Sequence, residues 1–381
     1  MKPSPAKKSF CLEDLALPHV PALQAYTPGK QPSGGDWTKL NTNECPYPPS
    51  PRVAEALTPL LTSGRLRLYP DPRGVELRRA IAEFYQLSED QVLLGNGSDD
   101  ILNLLVRAFC NARNGALFPT PGYSLYPTLV QIQNGSFREV PFTRDMELPI
   151  SGLISGSSPD SRENLLFVTN PNAPTGVLFS QKVLRELLSR FPGLVVVDEA
   201  YGEFAKESAI PLLKEYPNLC VTRTFSKSYA LAGCRLGYLL GSPDLIQLID
   251  RIRDSYNVNA LTQTAGLAAL SDTAYYGKIR GKILATRSAF SRWCEEQSWF
   301  TYPSQANFIF TEPVYQGRTG ADVAASAFAY LEKEKILVRY FPKPALTSSF
   351  LRISIGTAEQ MARVKEALTD WQNSTSHVPK K

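Results

Sequence analysis

Histidine is scarce in this sequence, which holds only two, His19 and His377, among its 381 residues. Both lie close to the ends of the chain. Catalytic triads, cysteine–histidine dyads and histidine-based metal centres are therefore excluded, and we expect no metal site. Any chemistry must come from lysine, tyrosine, carboxylates or a bound cofactor.

Paired cysteines and long apolar runs are also missing. The six cysteines are scattered, without a C-x-x-C pair or the spacing of metal ligands, so we interpret them as reduced thiols. No apolar run approaches the roughly 18 residues of a membrane span. The basic N-terminal stretch meets Glu13 and Asp14 before the apolar part of a signal peptide can form. We therefore predict a cytoplasmic protein without a membrane partner.

Charge of one sign is not concentrated anywhere in the chain. Lysine and arginine number 41 against 36 acidic residues, and the net charge of +5 is dispersed. This pattern argues against a nucleic-acid partner. The length and the hydrophobic content of 43% suffice for a large core, and they favour one large and one small domain.

Strand-like and helical segments alternate along most of the chain, which predicts an α/β fold with a doubly wound sheet. The branched apolar run 194–197 is typical of a parallel strand buried on both faces. From Ala306 onwards the pattern changes to that of a separate α+β unit. We predict an N-terminal arm (1–35), a large domain (36–280), a small C-terminal domain (281–372) and a disordered tail (373–381).

The stretch 221–240, VTRTFSKSYALAGCRLGYLL, places Ser226 and Lys227 on a loop between two apolar runs. Partial loss of hydration there lowers the pKa of a lysine and makes its neutral amine available to form a Schiff base. Arg235 stays cationic and suits a phosphate. A solvated surface loop is the alternative interpretation.

The stretch 91–100, QVLLGNGSDD, is a short strand that breaks into Gly-Asn-Gly-Ser before a helix predicted from Ile101 to Phe109. Glycines let the backbone approach a ligand, and the helix N-terminus offers N–H groups to an anion. The stretch therefore predicts a phosphate cup; a helix start capped by Ser98 or Asp99 is the alternative. The third glycine of a dinucleotide fingerprint is missing, which excludes a nicotinamide dehydrogenase.

In doubly wound sheets the ligand site lies beyond the carboxyl ends of the strands. This rule is expected to bring the glycine stretch, Asn172, Asp198 and Lys227 together, because each follows a predicted strand.

A set of motifs in a fixed order resembles the fold-type-I pyridoxal-phosphate enzymes and, within them, the histidinol-phosphate aminotransferases. The motifs are LNTNECPYPPSP, RLYPDPRG, LLGNGSDD, NPNAPTG, VVVDEAYGEF, RTFSKSYALAGCRLGY, YNVNALTQ, ANFIF and LRISIGT. The match runs from about residue 26 to residue 363, nearly the whole chain. The resemblance implies pyridoxal 5′-phosphate as cofactor, a large, mostly parallel sheet domain beside a smaller α+β domain, and a homodimer with a shared active site.

The resemblance also implies roles for individual residues around that cofactor. Lys227 would hold it as a Schiff base and move the substrate proton. Asp198 would keep its pyridine nitrogen protonated, Tyr201 would bond its ring hydroxyl, and Tyr123 would stack on the ring. The other implied cofactor contacts are Gly97, Ser98 and Asp99, Asn172, Ser226 and Arg235, and Tyr69 of the partner subunit.

Two positions depart from the family pattern. Ala173 stands where these proteins usually carry a second asparagine that bonds the ring hydroxyl, so either Asn172 replaces it or Tyr201 acts alone. Cys45 replaces another usual asparagine, near the LNTNE motif, which changes the hydrogen bonding of that loop.

For the substrate, Arg339 and Arg352 repeat the family's spacing of two arginines on adjacent strands. One anion-binding pair could then serve both glutamate's carboxylate and the phosphate of the other substrate; a surface salt bridge is the alternative for Arg339. Tyr26 and Asn307 resemble further substrate contacts.

These resemblances imply transfer of an amino group between histidinol phosphate and 2-oxoglutarate or glutamate, in histidine biosynthesis. Three alternatives stay open: a threonine-phosphate decarboxylase, a broad aromatic aminotransferase, and a non-catalytic regulator with an aminotransferase-like domain. We expect the regulator to need an additional DNA-binding domain, for which we expect no room before Tyr26 or after Trp371.

Overall fold

The structure is a computed structural model that describes residues 12–25, 29–155 and 163–374. Tyr26 and most of the predicted tail lie outside these ranges. The strands are β1 (Thr38–Lys39), β2 (Val92–Gly95), β3 (Gly115–Thr120), β4 (Phe137–Pro141), β5 (Glu163–Thr169), β6 (Leu194–Asp198), β7 (Leu219–Thr224), β8 (Gly237–Leu240), β9 (Phe300–Thr301), β10 (Phe308–Glu312), β11 (Ile336–Leu337), β12 (Arg339–Tyr340) and β13 (Leu351–Ser354). The α-helices are α1 (Pro51–Thr62), α2 (Val75–Tyr85), α3 (Ser98–Phe109), α4 (Leu125–Ile132), α5 (Ile150–Ile154), α6 (Gln181–Arg190), α7 (Pro243–Asp250), α8 (Ala260–Ser271), α9 (Thr273–Glu296), α10 (Ala321–Lys333), α11 (Ala345–Ser348) and α12 (Ala358–Asn373).

The large sheet has seven strands in the order β2-β8-β7-β6-β5-β3-β4. Its pairs are parallel except those that β8 makes with β2 and β7. The crossovers between parallel strands carry helices, which is the arrangement expected of a doubly wound sheet. The predicted α/β architecture with a mostly parallel sheet is confirmed.

Strand β6 shows why this sheet is buried on both faces. Successive side chains of a strand point to opposite faces, and Val195 and Val197 join one hydrophobic cluster while Val196 joins another. Helices α3, α4 and α7 contribute to the cluster of Val196, whereas α2, α6 and α8 contribute to the opposite one. Helices thus cover both faces of the sheet, whereas the carboxyl ends of its central strands stay uncovered by them.

Helix α3 begins three residues earlier than the sequence predicts, at Ser98 rather than Ile101. Its N-cap is Gly97, in a positive-φ conformation (φ 87°), and no side chain caps the helix. The alternative of a cap by Ser98 or Asp99 is therefore wrong. The physical reason is that glycine adopts this φ readily and starts the helix before either side chain reaches a capping position.

The second unit contains a four-stranded sheet, β12-β13-β10-β9, with a core of its own that includes Trp299 and Trp371. The N-terminal strand β1 does not join the large sheet; it pairs in parallel with β11 of this unit. The following residues, 41–44, thereby reach the space between the two units. The predicted domain limit at 280 lies inside the continuous helix α9, and the division into domains stays a prediction.

Within the described ranges, no helix is both long and apolar enough to cross a lipid bilayer. The cysteines of these ranges are all free thiols. No group of histidine, cysteine or acidic side chains there has the arrangement of a metal centre.

Candidate active site

A cavity of about 690 Å³ opens at the carboxyl ends of β5, β6 and β7, between the large sheet and the second unit. The predicted site residues that line it are Ser98, Asp99, Tyr123, Asp198, Tyr201, Ser226, Lys227, Arg235, Arg339 and Arg352. These residues meet at the edge of the sheet that the strand-end rule predicts.

Other predicted residues do not line this cavity. Asn172 and Asn307 are buried, and Tyr69 is 81% exposed on the surface of the chain. Gly97 lies directly behind Ser98 and Arg235. Tyr26 lies outside the described residues.

Lys227 lies on the loop between β7 and β8, as the sequence predicts. Its Nζ donates a hydrogen bond to the Thr42 carbonyl oxygen at 2.9 Å. Burial, and secondarily the nearby guanidinium of Arg352, lower the pKa of Lys227 from 10.5 to about 8. About a tenth of this amine is therefore uncharged and nucleophilic at pH 7, far more than for an ordinary lysine.

Asp198 ends strand β6 and is only 3% exposed. Its carboxylate accepts hydrogen bonds from the hydroxyls of Tyr126 (2.9 Å) and Thr222 (3.1 Å). Burial raises the pKa of Asp198 to about 6, although these hydrogen bonds oppose the rise. A cation in the cavity would favour the ionised carboxylate, so the site suits a protonated ring nitrogen.

The buried Arg223 stabilises the turn that carries Asp198 and Tyr201. This guanidinium forms ion pairs with Glu199 at 2.5 Å and with Glu203 at 2.9 Å, on either side of Tyr201. Breaking such a buried pair leaves an uncompensated charge, which makes the turn costly to deform.

The predicted phosphate cup lies where α3 begins. The first N–H groups of this helix have no side-chain cap, and Ser98, Ser226 and Arg235 surround the adjoining space. A Cβ on Gly97 would lie 2.7 Å from Arg235 Nη2, and one on Gly237 would lie 2.3 Å from the Ser98 nitrogen. Only glycines allow this close packing, and the resulting cradle of N–H groups and a guanidinium fits a phosphate.

Asp99 and Tyr123 complete one side of the cup. Asp99 pairs with Arg235 at 3.0 Å and accepts a hydrogen bond from the Tyr123 hydroxyl at 3.0 Å. The Asp99 carboxylate thus occupies one of the positions on the Arg235 guanidinium at which an anion can bind. The stacking of Tyr123 on a cofactor ring stays a prediction.

Asn172, the possible replacement for the amide missing at Ala173, has both ends of its side-chain amide engaged by other protein groups. Its Nδ2 donates to the Pro121 carbonyl at 3.2 Å, and its Oδ1 accepts from the Thr175 hydroxyl at 2.7 Å. Ala173, by contrast, lines the cavity. The shift of Asn172 that the sequence-based alternative requires is therefore absent from this structure.

Arg339 and Arg352 occupy directly opposite positions on the antiparallel strands β12 and β13. The guanidinium carbons of both lie 5.4 Å from the ring centre of Phe341, and Arg352 also donates to the Asn41 carbonyl at 2.8 Å. Like charges directly opposite each other destabilise a sheet pair. Within the described ranges no carboxylate forms an ion pair with Arg339, so a surface salt bridge, the alternative for this residue, is not observed. The pair suits an anionic ligand group.

Several residues around the cavity were not predicted. They are Thr42, Asn43, Tyr126 and Thr222, each of which forms a hydrogen bond with a predicted residue. A signal exists for Thr222, because it lies two residues before Thr224 in β7 and so shares a face of the strand with it. Thr42 and Asn43 have no local signal, since their position depends on the distant pairing of β1 with β11.

Comparisons with known proteins identify the family of this chain. The family model of aminotransferase class I and II matches residues 35–368. A histidinol-phosphate aminotransferase of Syntrophus aciditrophicus is 41% identical over 93% of this chain and 98% of its own length, and one of Chromohalobacter salexigens is 42% identical over 92% and 97%. The crystal structure of the Sinorhizobium meliloti histidinol-phosphate aminotransferase, in complex with pyridoxal 5′-phosphate, superposes with a TM-score of 0.81 at 28% identity, covering 89% of this chain and 91% of that one.

These matches extend over nearly the whole chain, and they agree with its α/β architecture. The protein is therefore a pyridoxal-phosphate-dependent aminotransferase of the class I and II family, with the fold-type-I architecture, and it belongs with the histidinol-phosphate aminotransferases.

Proposed function

We propose that this chain transfers an amino group between histidinol phosphate and 2-oxoglutarate or glutamate, in cytoplasmic histidine biosynthesis. The observation that carries the proposal is the facing pair Arg339 and Arg352, which shares one cavity with Lys227 and Asp198. A substrate that carries an amine at one end and a dianionic phosphate at the other fits between these groups. The relatives named above support the same substrate.

Pyridoxal phosphate, when bound, supplies an aldehyde that links to amines and a ring that accepts electrons. Lys227 would hold it covalently and, once released, accept the proton that leaves the substrate α-carbon. Asp198 would keep a positive charge at the ring nitrogen, and Tyr201 would bond the ring hydroxyl. The α3 N-terminus, Ser226 and Arg235 would bind its phosphate.

Alternation of two substrates in one site requires that the same cations accept two different anions. Arg339 and Arg352 would bind the phosphate of histidinol phosphate in one half-reaction and the distal carboxylate of glutamate in the other. Guanidinium groups form bidentate bonds with both anions, so no rearrangement of the strands is needed.

A single-substrate experiment tests this proposal. Histidinol phosphate alone should convert the visible absorption of the bound cofactor to that of its aminated form, whereas histidinol should do so only at far higher concentration. Arg339→Gln should raise the half-saturating concentration of histidinol phosphate by about 10- to 100-fold, the value of a charge-assisted hydrogen bond.

Arg318→Gln is the matched control, because Arg318 pairs with Asp322 on the surface, away from the cavity. Equal responses to histidinol and histidinol phosphate would remove the phosphate requirement and favour an aromatic aminotransferase. Release of carbon dioxide from threonine phosphate would favour the decarboxylase instead.

We also propose a homodimer with a shared active site. Tyr69 is 81% exposed and stacks on Tyr256 at 4.5 Å between ring centres, and Leu66 and Leu68 beside it are exposed as well. Such a cluster of exposed apolar side chains marks an interaction surface. In a symmetric dimer this surface could bring the hydroxyl of Tyr69 to the phosphate cup of the partner subunit.

Hybrid dimers test the shared site. Tyr69→Phe and Lys227→Ala are each expected to be impaired, but a mixed dimer contains one site with both native residues. After subunit exchange of an equal mixture, activity should rise towards about a quarter of the wild-type value, as random pairing of a twofold dimer gives. Exchange is confirmed independently by native mass spectrometry. If exchanged dimers show no recovery, Tyr69 does not act across the interface.

A further inference from the structure

Ala173 leaves a gap in the shell around the proposed position of the ring hydroxyl. Its methyl group faces the cavity beside Tyr201, and both side chains belong to the same hydrophobic cluster. A methyl group cannot donate a hydrogen bond, and the amide of Asn172 is engaged elsewhere. Tyr201 is thus the predicted contact that remains for this hydroxyl.

Asn43 places an amide next to Tyr201 from a different part of the chain. Its Nδ2 lies 2.9 Å from the Tyr201 hydroxyl oxygen, and the residue is only 1% exposed although it belongs to the cavity wall. Its backbone is left-handed, with φ of 56°, a conformation that asparagine tolerates better than most residues.

The neighbours of Asn43 fix which of its side-chain atoms faces Tyr201. The Ser354 hydroxyl oxygen accepts the backbone N–H of Asn43 at 2.9 Å, and the same hydroxyl donates its proton to Asn43 Oδ1 at 2.8 Å. The carbonyl end of the amide is therefore the acceptor for Ser354. The nitrogen end, which can only donate, is left for Tyr201.

This arrangement sets the direction of the hydrogen bond at Tyr201. Because its oxygen accepts the proton of Asn43, the phenolic proton must serve an acceptor other than Asn43. The ring of Tyr201 is held edge-on against Phe308, with 5.0 Å between ring centres, which restricts where its hydroxyl can reach. A bond received from an amide also stabilises negative charge on the phenol oxygen and strengthens the phenol as a donor.

We propose that Asn43 is a positioning residue that fixes the hydroxyl of Tyr201 as a hydrogen-bond donor towards the ring hydroxyl of the cofactor, and so compensates for Ala173. The inference rests on the cofactor contact proposed for Tyr201. It adds a residue from the N-terminal segment, held by Ser354 and by Asn307 of the second unit, whose Nδ2 donates to the Asn43 carbonyl at 2.9 Å.

Two substitutions test the role without disturbing the backbone. Asn43→Gly removes the amide and still permits the positive φ, and Asn43→Asp replaces the donor by a carboxylate that would accept the proton of Tyr201. The measurement is a pH titration of the visible absorption band of the bound cofactor. Both variants should shift the midpoint upwards, Asn43→Gly by about 0.5–1 pH unit, the equivalent of one net hydrogen bond.

The double variant Asn43→Gly/Tyr201→Phe separates an effect through Tyr201 from a direct one. Its midpoint should equal that of Tyr201→Phe alone, because Asn43 has no phenol left to orient. Thermal unfolding identifies any variant that is not folded; Ser354→Ala, which frees the Asn43 amide to rotate, then replaces Asn43→Gly in the comparison.

The outcomes distinguish this inference from the function on which it rests. If Tyr201→Phe shifts the midpoint but Asn43→Gly and Asn43→Asp do not, Asn43 does not position Tyr201 and the inference is overturned. If Tyr201→Phe itself leaves the midpoint unchanged, the proposed contact of Tyr201 with the cofactor fails first. An additive shift in the double variant would also overturn the inference, since Asn43 would then act without Tyr201.

Discussion

Replacement of Lys227 by alanine is expected to abolish the visible absorption of covalently bound cofactor. It should also lower the rate of amino transfer by more than about 10⁴-fold, which is the upper end of what one acid–base group contributes. The reason is that Lys227 is the proposed covalent anchor and also the proposed base. Its Nζ lies in the cavity within 2.9 Å of the Thr42 carbonyl, and burial keeps it partly uncharged. Absorption spectra of the purified protein and single-turnover kinetics measure the two effects separately.

The pH dependence of cofactor attachment provides a second readout for the same residue. Only the neutral amine reacts, so the rate of attachment to cofactor-free wild-type protein should rise with pH and level off above the pKa of Lys227, about 8. An unperturbed lysine would give a rate that still rises beyond pH 10. Lys182→Ala, at an exposed lysine, is the control and should match the wild type. A Lys227→Ala protein that keeps the absorption band would refute the central assignment.

The sequence predicts the sheet and the lysine loop because both depend on local patterns. The run of branched apolar residues in β6 needs no partner to be recognised, and the ends of β6 and β7 place Asp198 and Lys227 at one edge once the strands are parallel. Most of the predicted cofactor residues line the cavity for this reason.

Contacts that depend on distant segments could not be predicted in the same way. Asn43 reaches Tyr201 only because β1 pairs with β11, some 300 residues further along the chain, and nothing near Asn43 signals that pairing. The Asn172 side chain is likewise directed in part by a distant residue, Pro121, which lies 51 residues earlier in the chain, and in part by its loop neighbour Thr175.

The predicted start of α3 is wrong for a different reason. Ser98 and Asp99 are both good N-cap residues, so propensity favours a cap at either of them. Gly97 starts the helix before them and leaves the first N–H groups without side-chain partners. A local preference was thus overridden at the proposed phosphate site, and conflicts of this kind are expected at functional sites.

Asp198 links the chemistry of the site to the stability of the protein. Folding buries this carboxylate and raises its pKa from 3.8 to about 6, so the folded protein holds the proton more tightly than the unfolded chain. Between these two pKa values the folded state binds more protons, and the free energy of unfolding therefore falls as pH rises through this window. The difference corresponds to about 3 kcal/mol once both states are ionised. A cation at the ring nitrogen of a bound cofactor would offset this cost.

Asp198→Asn should therefore have opposite effects on activity and on the stability of the cofactor-free protein. The amide cannot hold a positive charge at the ring nitrogen, so amino transfer should fall by about 10²–10³-fold or more, while the anchor at Lys227 still binds the cofactor. Relative to wild type, the cofactor-free variant should gain up to about 3 kcal/mol in unfolding free energy on going from about pH 4 to about pH 8, because asparagine has no ionisation cost. Denaturant unfolding at the two pH values measures this gain.

The absorption spectrum verifies cofactor binding, and Thr222→Val, which removes one hydrogen bond but keeps the carboxylate, is the matched control. If the unfolding free energies of variant and wild type change in parallel with pH, Asp198 is not the buried, destabilised carboxylate described above. Activity within a fewfold of wild type would exclude its role at the ring nitrogen.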